Sequence, residues 1–76
     1  MFADLDLASE VHEKLLKARA VLANSVASIK GRCSEEEYKA YRKMVGDALG
    51  AIIIDGLTPI EERHPSLKQN NAGASS

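Results

Sequence analysis

Aromatic side chains are scarce: no tryptophan, one phenylalanine and two tyrosines in 76 residues. Sheets favour aromatic and β-branched residues, whereas alanine, present eleven times, loses no side-chain entropy in a helix. The balance points to an all-α fold. Cysteine occurs once, at Cys33, which excludes an internal disulfide and any paired-cysteine metal motif. No apolar run approaches the roughly 18 residues of a membrane span. Neither charge sign dominates: ten basic against eleven acidic residues give a net charge of -1, so no overall field commits the chain to nucleic acid or anionic lipid. The opening Met1-Phe2-Ala3-Asp4-Leu5-Asp6 carries acid where a secretory leader carries base and lacks its apolar segment. A reducing, cytoplasmic home without membrane contact is the expectation.

What is present is helical periodicity. Ala8, Val11, Leu15, Ala18, Leu22, Ser25 and Ile29 alternate steps of three and four, one stripe with a seven-residue rhythm. Leu16, Val21 and Val26 widen it, and Glu10–Lys14 and Glu13–Lys17 are acid-before-base pairs four apart. The pattern predicts one long helix from about Leu7 to Lys30, starting at Asp6 or Ser9 and capped by Gly31 in left-handed geometry. Ser34-Glu35-Glu36-Glu37 then reads as a capping box, with acids at the positive end of the helix dipole. Tyr38, Tyr41, Val45, Ala48 and Ile52 repeat the same rhythm, and Asp55-Gly56 ends the second helix. The β-branched run Ala51-Ile52-Ile53-Ile54 is compatible with a strand, but it continues the helical stripe and has no second strand to pair with. Thr58-Pro59-Ile60-Glu61 signals a short third helix from Pro59 to about Arg63; Pro65 disfavours helical geometry at His64. Leu57, Ile60 and Leu67 are placed over the open end of the hairpin. Residues 1–68 form one domain, and 69–76 a flexible polar tail.

At this length the gain from burial and the entropy of ordering nearly cancel. Two facing helices hide one side of each, yet both stripes are wide. The expected architecture is an antiparallel helical hairpin plus a short third helix, pairing as a homodimeric four-helix bundle. Its interface is assigned to Leu15, Leu22, Val26, Ile29, Tyr41, Val45, Gly46, Leu49, Gly50 and Ile53. Gly46 and Gly50 each weaken a helix by about 0.8–1 kcal/mol relative to alanine, and their spacing of four aligns two gaps through which another backbone can approach.

Chemistry-bearing residues are few. Cys33 lies beside Arg32 near the start of the second helix, a setting that favours a thiolate, but no base–nucleophile signature accompanies it. A loop cysteine is the simpler reading, and a reactive thiol the sharper one. His12-Glu13 lacks a second histidine four places on, where Leu16 stands, so the helical zinc-protease motif is absent. His64 is placed at the end of the third helix or against Tyr38 or Tyr41. No catalytic residue, cofactor site or metal site is expected. Lys30, Arg32, Lys39, Arg42 and Lys43 gather near the turn and would appear twice in a dimer, which suits a nucleic-acid backbone. The three glutamates among them reduce that field. The expected function is a non-enzymatic dimeric interaction or regulatory module with an unidentified protein partner; a nucleic-acid-binding dimer is the runner-up.

Arg32-Cys33-Ser34-Glu35-Glu36-Glu37-Tyr38 through Gly46, with Leu57-Thr58-Pro59-Ile60 and His64-Pro65-Ser66-Leu67-Lys68, resembles small uncharacterised bacterial helical proteins over about the second half of the chain. The resemblance implies a helical fold and brings no activity, cofactor or catalytic residue.

Overall fold

A computed structural model describes residues 2–68; the polar segment 69–76 lies outside the described residues. Helix α1 runs Leu5–Ile29. Its cap is Asp4, whose side chain accepts from the Asp6 amide at 3.1 Å, so the helix opens earlier than the expected starts at Asp6 or Ser9. An aspartate one residue ahead of the first turn leaves Asp6 free to sit near the positive helix end. At the other end Gly31 takes a φ of 81°, left-handed geometry that glycine adopts without a Cβ penalty. Helix α2, Glu35–Ala51, starts with the full capping box: the Glu37 amide donates to Ser34 Oγ, and the Ser34 amide donates to the Glu37 carboxylate.

The second helix does not end at Asp55-Gly56. The chain continues through a π-helical segment, Ile52–Leu57, into α3, Thr58–Arg63. The Thr58 amide donates to the Ile53 carbonyl, five residues back. Two local demands account for the wide turn. Pro59 offers no amide to Asp55, and its ring crowds that carbonyl. The apolar pattern also jumps: Tyr38, Tyr41, Val45, Ala48 and Ile52 step by threes and fours, five residues separate Ile52 from Leu57, and Leu57, Ile60, His64 and Leu67 resume the rhythm. One extra residue within a turn keeps both stretches facing α1. Gly56 keeps negative-φ geometry; its role is proximity, because a Cβ there would lie 3.0 Å from Leu15 Cδ1. The expected strand alternative for Ala51–Ile54 is therefore settled as helix.

Thus α3 prolongs α2 in line rather than folding back, and the rod Glu35–Arg63 lies antiparallel to α1. His64 leaves helical geometry (φ −128°, ψ 78°) ahead of Pro65, and residues 65–68 add one more turn. Ala8, Ile60 and Leu67 are buried together, with Phe2, Val11 and Leu15 against them. Leu57 and Val45 extend this thin core along the seam.

Candidate functional site

Two polar ties close the open end of the hairpin. His12 is 5 % exposed, and its Nε2 lies 2.9 Å from Glu61 Oε2. A buried imidazole must keep its hydrogen bond, so α1 and α3 are locked in register there. His64 Nε2 donates to the Phe2 carbonyl at 2.7 Å, which places that ring far from the tyrosines suggested as its partners. Burial of His12 is the functional surprise relative to its sequence context. The signal was present: His12 is one residue from Val11 and four from Ala8, on the edge of the apolar stripe. A carboxylate that orients a histidine also occurs in base catalysis, but this ring is enclosed by the packing of α1 on α3 and serves as a clasp.

At the opposite end Tyr41 Oη and Ser25 Oγ are 2.7 Å apart, and Ser25 Oγ donates to the Leu22 carbonyl. Next to them a cleft of about 320 Å³ is lined by Ile29, Arg32, Cys33, Glu37 and Tyr41. Cys33 is half-buried, its thiol 3.7 Å from the Ile29 carbonyl. Arg32 turns back to the Ser28 carbonyl rather than toward the sulfur. The carboxyl of Glu37 is held below the ordinary glutamate range, chiefly by the Ser34 amide and then by its hydroxyl. The five bases Lys30, Arg32, Lys39, Arg42 and Lys43 are all exposed. They share this end with exposed Glu35, Glu36 and Glu37, and Lys43 pairs with Asp47 at 3.1 Å. Among the described residues no cluster of three or more metal-ligating side chains occurs.

The residues assigned to a pairing surface separate into two groups. Val45, 2 % exposed, lies inside the single chain and has no surface for a second one. Leu15 meets Gly56, and Tyr41 is bonded to Ser25; Leu22, Val26 and Ile29 are half-buried along the hairpin seam. Gly46, Leu49, Gly50 and Ile53 form the other group. Their steps of three and four set them on one stripe of the rod. Gly46 and Ile53 are exposed, Leu49 and Gly50 half-exposed. Nothing lies within 4 Å of a Cβ built at Gly46 or Gly50. Val21, Met44 and Ile54 add exposed apolar surface elsewhere, Val21 and Ile54 at 66 % and 68 %.

Fold and surface together define an all-α helical hairpin with an uncovered apolar stripe on its second rod. No helix among the described residues is long and apolar enough to cross a membrane. Compared with protein-family models, curated proteins and solved structures, the chain matches none.

Proposed function

We propose that the protein is a non-enzymatic helical interaction module that works as a homodimer in the cytoplasm, two hairpins forming a four-helix bundle that presents its outer faces to a protein partner. The observation that carries this reading is the mismatch between a thin core and an open apolar face. The buried apolar residues are Ala8, Val45, Leu57, Ile60 and Leu67, while Val21, Met44, Ile53 and Ile54 stand 40–68 % exposed. A chain of this size has little stability to spare, and covering such surface is the available source of more. The two glycines supply a second support: each weakens α2, and neither is needed for packing within the chain.

Sedimentation equilibrium at micromolar concentration tests the reading. The expected particle has twice the 8.2 kDa chain mass, and Gly46→Leu, which meets no atom of its own chain, shifts it to the single chain without loss of helix signal. A wild-type particle of 8.2 kDa would sink the proposal. Retention of RNA that weakens with added salt would instead favour the basic region Lys30–Lys43 as the working surface.

A further inference from the structure

The apolar stripe has a direction built into it, and we infer that the second copy lies on it antiparallel, with the two-fold axis passing between Leu49 and Gly50. The inference rests on the dimeric reading above and specifies its geometry. Three observations carry it. The rod is continuous from Glu35 to Arg63, and Gly46, Leu49, Gly50 and Ile53 lie at its middle. An axis at that point lets two antiparallel rods overlap along their whole length. An axis elsewhere leaves the ends unmatched.

Charge supplies the second observation. From Tyr38 to Ala48 the rod carries Lys39, Arg42 and Lys43 against a single acid, Asp47; from Ala51 to Glu62 it carries Asp55, Glu61 and Glu62 and no base. Antiparallel pairing sets the basic half of each rod over the acidic half of its partner. Parallel pairing in register sets every charge beside its own twin, which is repulsive along the full rod. Glu61 is turned toward His12, but Asp55 and Glu62 are exposed, as are all three bases. Arg42 lies four residues before Gly46 and Lys39 three before that, so the bases extend the same stripe.

The third observation concerns the glycines. Gly56 is explained by Leu15 at 3.0 Å, whereas Gly46 and Gly50 face open space. Placed on both sides of the axis, they would let two identical backbones approach at the crossing, as small residues do where helices pack closely.

Distances between spin labels separate the alternatives. In a Cys33→Ser background, single labels are placed at exposed positions through Lys39→Cys and Ala51→Cys, with the particle mass measured on the same samples. A helix rises about 1.5 Å per residue. The antiparallel pair therefore puts the two labels at position 39 about 30 Å or more apart, and those at position 51 within roughly 15 Å. Short separations at both positions would show a parallel pair and overturn the inference. Long separations at both in a dimeric particle would place the contact on another face and equally overturn it. A particle of single-chain mass would remove the underlying dimer itself.

Discussion

At the scale of single residues, His12 is the position where the fold is most sensitive to chemistry. His12→Ala removes a buried hydrogen bond and leaves the Glu61 carboxylate facing a void. The expected loss is about 2–3 kcal/mol of unfolding free energy, read from urea titration. Glu61→Gln keeps an acceptor for the imidazole and is expected to lose clearly less. The glycines divide in the same assay. At a protein concentration low enough to hold the single chain, Gly46→Ala should raise stability by up to about 1 kcal/mol. Gly56→Leu should lower it, since even a Cβ at Gly56 comes within 3.0 Å of Leu15. The sequence marked His12 only as a histidine without a zinc-protease partner. Its real partner lies 49 residues away, a distance that local spacing does not encode. The same holds for His64, whose contact is a backbone carbonyl at Phe2.

Elements were the most legible scale, and for a physical reason: caps and stripes are written in neighbouring residues. Ser34-Glu35-Glu36-Glu37 forms the box it spells, Gly31 takes the left-handed geometry expected of it, and Leu57, Ile60 and Leu67 are buried at the open end. Ser34→Ala is expected to cost about 1 kcal/mol, measured by thermal unfolding. The cap also titrates. Because folding depresses the Glu37 carboxyl, its contribution is complete above the pKa of glutamate in the unfolded chain, and it is lost as pH falls through the lower native value. Glu37→Gln keeps a side chain able to accept from the Ser34 amide but cannot ionise. Its stability should fall less steeply between neutral and acid pH than that of the parent chain. What misled was Asp55-Gly56, read as a terminator because glycine so often ends helices. The five-residue jump from Ile52 to Leu57 was the better signal, since a stop needs no phase correction and a wide turn does. Deleting Asp55 restores a four-residue step, and the shortened chain is expected to keep its helix content and cooperative unfolding by circular dichroism. Deleting Ala48 instead shifts everything after it by one position and should abolish cooperative unfolding.

At the scale of the whole molecule, the hairpin and its antiparallel packing followed from a short connection between two amphipathic helices. The alignment of α3 with α2 did not, because it depends on the geometry of a single turn. The assembly proposed for the apolar stripe makes stability a function of concentration: mass action stabilises a folded pair over separate unfolded chains. The melting temperature is therefore expected to climb as protein concentration is raised from low to high micromolar, and to lose that dependence in Gly46→Leu. The tie between His64 and the Phe2 carbonyl has a mechanical consequence as well. A load applied between Phe2 and Lys68 pulls the two rods apart from one end, like a zip, rather than sliding them past each other. The histidine clasps would bear that load first and the Ser25–Tyr41 pair last, so the strands of the hairpin would part contact by contact, and the molecule should yield at low force despite its length.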